Sequence, residues 1–361
     1  MITVTRTYLP PLENYTEYLR HIWAEGQVTN NGNLEKRLAE KLKNFLNVEN
    51  IELVCNGTMA LQLAVRALKL KGEIITTPFS YIATSTAIVW EGCTPVFTDI
   101  ENKTFCINPD LIEPAITERT CAIMATHVYG YPCDVEKIEN IANRYNLKVI
   151  YDAAHCFGAC LNGRSLTDYG DISTLSFHAT KIFHTAEGGA VICKGDEIAK
   201  RVFLMKKFGH IGEDEYLDIG TNAKLSELHA AMGLCVLPKV SDLISLRKNC
   251  AELYDRLLEG LGLQRPVMVK GLEYNYAYYP IIFSSHESMM NARNGLIEKN
   301  IIPRRYFYPS LNTLSYLANS IPVRCPISED IANRVLALPV SHLLSKDDIV
   351  KISDILRKSL K

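Results

Sequence analysis

The chain has 361 residues, of which 47% are hydrophobic and 22% are charged, and its formal net charge at pH 7 is −1. This length exceeds the size at which one hydrophobic core usually keeps growing, so we expect two lobes. The balanced charge, without a long run of lysine and arginine, argues against nucleic acid or an anionic membrane as a partner.

The first residues, MITVTRTYLPPLENY, lack the basic and apolar segments of a secretion signal. No run approaches the roughly 18 apolar residues of a membrane span, so we expect a cytoplasmic protein. The 11 cysteines are scattered and never form a CxxC pair. They predict reduced, mostly buried thiols rather than disulfide bonds or a zinc site, and we predict no metal centre.

Residues 13 to 47 carry apolar side chains at spacings of three and four, which predicts two helices separated by the polar turn GQVTNNGN. The next segment, IELVCNGTMALQLAV, predicts a strand, a turn at Gly57-Thr58 and a helix. A helix start presents free backbone N–H groups and the positive end of the helix dipole, where phosphate binds well. Threonine after glycine is also an ordinary helix cap, so this turn alone leaves both interpretations open.

Strands then alternate with amphipathic helices, which predicts a mostly parallel sheet covered on both faces. Tyr81 follows a strand, at a position where ligand-facing side chains of such sheets collect, although a packed aromatic fits equally well. The apolar strand KVIYD ends at Asp152. A buried carboxylate there needs a cation or hydrogen-bond donors, supplied either by a ligand or by a structural partner.

Lys181 lies on a polar loop between two apolar strands in the stretch from residue 171 to residue 193. Among apolar neighbours an amine loses hydration, and its pKa falls toward a range in which the free amine attacks a carbonyl. The alternative is an ordinary lysine whose head is solvated on a surface loop.

The pattern changes to short strands and helices from about Gly262 onward, after a long helical stretch. We therefore predict an N-terminal segment plus a large α/β domain over residues 1–248, and a small α+β domain over residues 249–361.

Four features follow one another along the α/β domain: the helix-start anion site, an aromatic residue, a strand-end aspartate and a loop lysine. Pyridoxal 5′-phosphate (PLP) needs this set. It binds through an anion site, an aromatic face, a carboxylate beside its ring nitrogen and a lysine that holds its aldehyde as a Schiff base. The combination predicts a PLP-dependent enzyme.

The strings NGTMAL, TPFSYIAT, HVYGYPCD, VIYDAAH, SFHATK with EGGAV, and NAKLSELHAAMG resemble successive signatures of the DegT/DnrJ/StrS family of sugar aminotransferases. The resemblance spans nearly the whole chain. It implies the α/β fold of type I PLP-dependent transferases, which is aspartate-aminotransferase-like. That fold has a mostly parallel, seven-stranded type of sheet between helices, with a smaller α+β C-terminal domain.

The resemblance also implies a role for each matching residue. Lys181 is the expected catalytic residue: it would hold PLP in the resting enzyme and face pyridoxamine 5′-phosphate during turnover. Asp152 is expected to pair with the ring nitrogen of the cofactor. The other expected cofactor contacts are Gly57, Thr58, Met59, Tyr81, His155, Ser176 and Asn222. The segment around Asn222 would reach the partner's active site, which implies a homodimer with shared sites. The expected substrate contacts are His184, Glu187, Tyr306 and Tyr308. For His184, Tyr306 and Tyr308, packing in the protein is an equally good explanation.

The implied reaction transfers the amino group of L-glutamate to a nucleotide-linked keto-deoxy sugar. The SFHATK and FHTAEGG strings favour C4 of dTDP-4-keto-6-deoxy-D-glucose, giving dTDP-4-amino-4,6-dideoxy-D-glucose for O-antigen or another surface glycan. Amination at C3, or of a UDP- or GDP-linked sugar, stays open, as does a PLP-binding regulator without turnover. Lys181 argues against the related dehydratases, which carry histidine there, and the absence of a GxGxxG turn argues against a nicotinamide-dependent oxidoreductase.

Overall fold

The structure is a computed structural model, and it describes residues 1–317 and 323–360. The helices, numbered in chain order, are α1 Leu12–Glu25, α2 Asn33–Leu46, α3 Gly57–Ala67, α4 Ile82–Trp90, α5 Val135–Tyr145, α6 Asp196–Met205, α7 Glu227–Val236, α8 Val240–Leu258, α9 His286–Glu298, α10 Pro326–Arg334 and α11 Lys346–Ser359. The strands are β1 Ile2–Thr3, β2 Ile51–Val54, β3 Glu73–Thr76, β4 Thr94–Phe97, β5 Thr120–Thr126, β6 Lys148–Asp152, β7 Cys160–Leu161, β8 Arg164–Ser165, β9 Ile172–Ser176, β10 Gly189–Cys193, β11 Leu272–Glu273, β12 Tyr279–Ile282, β13 Ile301–Ile302 and β14 Val335–Leu338.

Seven strands form the central sheet in the order β2-β10-β9-β6-β5-β3-β4. The pairs from β9 to β4 are parallel, whereas β10 runs antiparallel to both of its neighbours. This confirms the predicted mostly parallel α/β fold. In such a sheet the strands β3, β5, β6 and β9 all end at one edge, so the loops that follow them meet there.

The sheet is covered on both faces, because successive side chains of a strand point to opposite sides. In β5, Ile123 and Ala125 join one core, and Ala122 and Met124 join the other. Helices α2, α5 and α7 contribute to the first core, and α3, α4 and α6 contribute to the second. This two-sided burial explains why the strands read as continuous apolar runs in the sequence.

A third core lies in the C-terminal part, where α8, α9 and α11 pack on the antiparallel pair β12 and β14. Helix α8 crosses the predicted boundary at residue 248: Val240 and Leu243 belong to the first core, and Tyr254 and Leu258 belong to the third. Strand β1 pairs with β13, which places the N-terminal residues beside this lobe. The division into 1–248 and 249–361 stays a prediction, and it includes residues 318–322 and 361, which lie outside the described part.

The helical run Glu227–Leu258 is the one stretch of the described residues long and apolar enough to span a membrane, with a mean hydropathy of 1.2. Half of that apolar window is buried in the protein, and the short turn Leu237–Lys239 interrupts the run. Both features are typical of a core helix in a globular domain. Eight of the 11 cysteines are buried, in agreement with the prediction of mostly buried thiols.

A buried ion cluster fixes α2 to the sheet and to the end of α6. The ammonium of Lys206 lies 3.0 Å from carboxylate oxygens of both Glu35 and Glu52, and it donates to the carbonyl of Leu53 at 3.0 Å. Burial raises the pKa of both carboxyls, and the Lys206 charge opposes that rise. Lys206 is therefore the counter-charge that allows two acidic side chains to stay in this part of the core.

Replacing Lys206 by methionine should destabilise the protein at neutral pH by about 3 kcal/mol or more, because the carboxylates of Glu35 and Glu52 both lose the cation that lies 3.0 Å from them. Chemical denaturation of Lys206→Met measures this. The matched control is Lys200→Met, an exposed lysine on the same helix. Equal unfolding midpoints for the two variants would contradict the assignment.

Candidate active site

A cavity of about 650 Å³ opens at the edge of the sheet where the parallel strands end. Its wall on the sheet side comes from the segments after β2, β3, β5, β6 and β9. The opposite wall comes from the C-terminal part of the chain. The predicted residues in the lining are Gly57, Thr58, Met59, Tyr81, Asp152, His155, Ser176, Lys181, Glu187 and Tyr306.

Asp152 ends β6 and is buried at 5% exposure. Its Oδ1 accepts a hydrogen bond from the N–H of Ala154 at 3.1 Å, and its Oδ2 accepts one from the hydroxyl of Thr84 at 2.6 Å. A carboxylate has about four acceptor positions, so these two bonds leave capacity for a cationic donor in the cavity.

Lys181 lines the same cavity and is partly buried. Its backbone N–H donates to the carbonyl of His178 at 2.8 Å, which closes a tight turn in the loop after β9. Burial lowers the pKa of the Lys181 ammonium, and the negative charge of Asp152 opposes that fall. The lysine is therefore an amine held among apolar and aromatic groups, not a solvated surface side chain.

The predicted anion site is at the start of α3. The side chain of Asn56 caps the helix by accepting from the N–H of Met59 at 2.8 Å. Gly57 allows the helix to approach β9 closely, because a Cβ on it would lie 2.8 Å from the Cβ of Ser176. The first N–H groups of the helix, at Gly57 and Thr58, thus lie beside the Ser176 hydroxyl in the cavity lining, an arrangement that suits phosphate.

His155 is buried beside Lys181 and packs against a cluster of aromatic rings. Its ring is parallel to that of Phe307 at 5.7 Å and meets Tyr278 edge-on at 4.8 Å. Burial, reinforced by the Lys181 charge, lowers the pKa of His155 well below its usual value. Its Nδ1 accepts from the N–H of Tyr129 at 3.2 Å, so the neutral ring carries its proton on Nε2 and offers a donor there.

Tyr81, Glu187 and Tyr306 lie around the mouth of the cavity. Tyr81 precedes α4 and is 58% exposed, so its ring is available to a ligand. Glu187 lies 3.7 Å from Nε2 of His178. Tyr306 meets the ring of Tyr278 edge-on at 5.6 Å.

Three predicted residues lie outside the lining. His184 is buried at 1% exposure, and its Nε2 donates to the carbonyl of Tyr8 at 2.7 Å, so its ring is used in packing. Tyr308 is half exposed, and the guanidinium of Arg305 lies 3.3 Å from its ring centroid. Asn222 is exposed and accepts from Nζ of Lys224 at 2.6 Å. His184, Tyr308 and Asn222 therefore do not contact the cavity of their own chain.

Sequence reasoning missed several residues of the site. Thr84 holds Asp152, and Arg304 brings an exposed guanidinium to the lining. The backbone of Arg304 is fixed by two hydrogen bonds with Ala337, at 2.7 and 3.3 Å. Thr84 ends the string TPFSYIAT, and Arg304 is one of two adjacent arginines, but nothing in either segment points to its role. Only the fold brings Thr84 to Asp152 and Arg304 to the cavity.

The chemistry of the donor set can be stated from these contacts. The cavity combines N–H donors at a helix start, a buried carboxylate, a neutral histidine donor and an amine of lowered pKa. Such a set fits a ligand with an anionic group, a protonated ring nitrogen and a carbonyl carbon that an amine attacks.

Comparison with known proteins places the chain among aminotransferases. A model of the DegT/DnrJ/EryC1/StrS aminotransferase family matches residues 12–357. A dTDP-4-amino-4,6-dideoxy-D-glucose transaminase of Shigella dysenteriae is 43% identical over 99% of this chain and 98% of its own length. A transaminase of the same name from Escherichia coli is 40% identical over 98% of each chain. The crystal structure of DesI in the presence of its TDP-sugar product superposes with a TM-score of 0.94 at 30% identity, covering 99% of this chain and 93% of DesI.

Replacing Asp152 by asparagine should lower the pKa of Lys181 further, because the substitution removes the charge that opposes the effect of burial. The measurement is the pH dependence of acylation of Lys181, followed by peptide mass spectrometry. We expect half-maximal labelling at a lower pH in Asp152→Asn. Labelling of the exposed Lys200 serves as the internal control, and an upward shift for Lys181 would contradict the electrostatic account.

Proposed function

The chain belongs to the DegT/DnrJ/EryC1/StrS aminotransferase family, and from this we propose that it aminates C4 of dTDP-4-keto-6-deoxy-D-glucose to give dTDP-4-amino-4,6-dideoxy-D-glucose. The observation that carries the proposal is the single cavity that holds Lys181, Asp152 and the start of α3. The nearly full-length similarity to two transaminases named for this product supports the choice of substrate.

PLP is the cofactor that we propose, and its three binding groups match the cavity. The N–H groups of Gly57 and Thr58, with the Ser176 hydroxyl, would hold its phosphate. Asp152 would accept from its ring nitrogen, Lys181 would hold its aldehyde carbon, and Tyr81 would cover its ring. When bound, PLP supplies an electron sink that stabilises negative charge on a carbon that loses its proton.

Lys181 is the residue that moves protons in this proposal. Its lowered pKa leaves a larger neutral fraction of the amine at physiological pH than a solvated lysine has. A neutral Nζ accepts a proton from the α-carbon of the amino donor, which we propose is L-glutamate. When the amino group passes to the sugar, the protonated Nζ gives a proton back. His155 donates from Nε2 and, because its ring stays neutral, adds no second positive charge beside Lys181.

Arg304 is the proposed contact for an anionic part of the substrates. Both proposed substrates are anions, since glutamate carries carboxylates and the sugar nucleotide carries a diphosphate. A guanidinium binds either group through two parallel hydrogen bonds. The backbone bonds to Ala337 keep Arg304 at the rim, where it orients the substrate without contacting the reacting carbon.

We propose a cytoplasmic homodimer with shared sites. Asn222 and Lys224 lie outside the lining of their own cavity, so in this proposal they contribute to the partner's site. The preceding segment carries exposed apolar side chains, at Phe208, Ile211, Tyr216, Leu217 and Ile219, which a second copy would cover.

The test of the function is incubation of the purified protein with PLP, glutamate and a panel of dTDP- and UDP-linked 4-keto and 3-keto sugars. We expect a new amine at C4 of the dTDP sugar, identified by NMR. Lys181→Ala should lose turnover by a factor of at least about 10³ while remaining folded by circular dichroism, because the proton carrier is removed. Lys200→Ala is the control.

Two outcomes would contradict the proposal in different ways. Amination only at C3, or only of another nucleotide sugar, would overturn the substrate and keep the mechanism. Turnover by Lys181→Ala at the wild-type rate would overturn the role of the lysine.

Replacing Arg304 by glutamine should raise the KM of one anionic substrate by about tenfold and change kcat less, because the lost contact is remote from the reacting carbon. Initial rates with each substrate varied separately identify which anion Arg304 meets. Arg305→Gln is the matched control, since Arg305 lies on Tyr308 outside the cavity. Unchanged KM values for both substrates in Arg304→Gln would exclude the role.

A further inference from the structure

Three buried hydroxyls form a continuous chain of hydrogen bonds that ends on Asp152. The hydroxyl oxygens of Thr126 and Ser80 are 2.9 Å apart, those of Ser80 and Thr84 are 2.8 Å apart, and Thr84 lies 2.6 Å from Oδ2 of Asp152. All four side chains are at most 5% exposed. The chain joins the ends of β5 and β6 to the first turn of α4.

The direction of every bond in this chain follows from its last member. A carboxylate only accepts, so Thr84 must donate to Asp152 and has no second proton to give. Ser80 must then donate to Thr84, and Thr126 must donate to Ser80. Three hydroxyl dipoles therefore point the same way, toward the carboxylate, and each bond polarises the next.

The same contacts fix the segment that carries Tyr81. Ser80 precedes Tyr81 and Thr84 follows it by three residues, so the backbone on both sides of the exposed aromatic ring is tied to the sheet edge. One network thus sets the orientation of the Asp152 carboxylate and the place of Tyr81 at the cavity mouth.

We propose that Thr84, supported by Ser80 and Thr126, is a positioning residue that holds the Asp152 carboxylate in the orientation needed to bind a protonated ring nitrogen. This inference rests on the proposed PLP-dependent function. Thr84 does not line the cavity and acts on the ligand only through Asp152. The bond is worth more than an ordinary hydroxyl contact because it is short and ends on a carboxylate.

The test compares three variants of the full-length protein. Thr84→Val keeps the shape and removes the hydroxyl, Thr84→Ser keeps the hydroxyl, and Thr86→Val makes the same change on the same helix. Thr86 donates only to backbone carbonyls of its own helix, so it is a matched control. Each protein is loaded with PLP labelled with ¹⁵N in its ring, and the ¹⁵N chemical shift is followed against pH.

In Thr84→Val we expect the midpoint for protonation of the ring nitrogen to fall by about one pH unit, the size of one charge-assisted hydrogen bond. The reaction of the loaded enzyme with glutamate alone, followed by absorbance, should slow by about tenfold. Thr84→Ser should return the pH midpoint close to that of wild type and the rate of the glutamate reaction to within about twofold of wild type. Thr86→Val should leave both quantities unchanged.

The possible results separate this inference from the proposed function. If wild type fails to bind PLP or glutamate causes no spectral change, the proposed function is overturned. If wild type responds and Thr84→Val matches Thr86→Val in both the nitrogen midpoint and the glutamate reaction, the positioning role of Thr84 is overturned. A defect that Thr84→Ser fails to restore would also contradict it, because the hydroxyl would not be the cause.

Discussion

The burial of the Asp152 carboxylate at the end of β6 is the constraint on which the other parts of the site depend. A charge in such a place needs donors on every side that faces the protein and a cation on the side that faces the cavity. The backbone of Ala154 and the hydroxyl of Thr84 meet the first need. Lys181 lies on the open side, and burial lowers the pKa of its ammonium while the charge of Asp152 opposes that fall. The carboxylate thus keeps capacity for a ligand's ring nitrogen.

The parallel sheet brings these groups together from distant parts of the chain. Asp152 and Ser176 end β6 and β9, Gly57 begins α3 after β2, and Tyr81 follows β3. Because β3, β5, β6 and β9 run in one direction in the central sheet, their carboxyl ends lie at one edge. Gly57 then sets how closely α3 approaches that edge, since any side chain there would collide with Ser176. Anion site and carboxylate therefore have a spacing that the backbone determines.

Local patterns in the sequence were sufficient to predict the α/β fold, since apolar runs, helix starts and strand ends reflect short stretches of chain. The same patterns singled out Gly57, Asp152 and Lys181, which the structure brings into the lining of one cavity. Contacts between distant residues were not predictable in this way: the ring of His184 binds the carbonyl of Tyr8, and the guanidinium of Arg305 lies over the ring of Tyr308. The roles of Thr84 and Arg304 could not be predicted from the residues around them, because only tertiary packing brings Thr84 to Asp152 and Arg304 to the cavity. The passage of α8 from the first core to the third has no local signal either, because a helix can contribute to two cores without a break.

The contact between His184 and Tyr8 has a consequence for the order in which the protein folds. His184 follows Lys181 by three residues, Tyr8 lies near the N-terminus, and the Tyr8 ring packs edge-on against His342 at 5.5 Å. The lysine loop is therefore braced by segments from both ends of the chain, and closing such long loops is slow because their entropy is lost before the contacts form. Most neighbouring strands of the central sheet are close in sequence, whereas the contacts that brace the lysine loop join residues near both ends of the chain. The place of the amine therefore depends on contacts of higher sequence separation than the sheet around it.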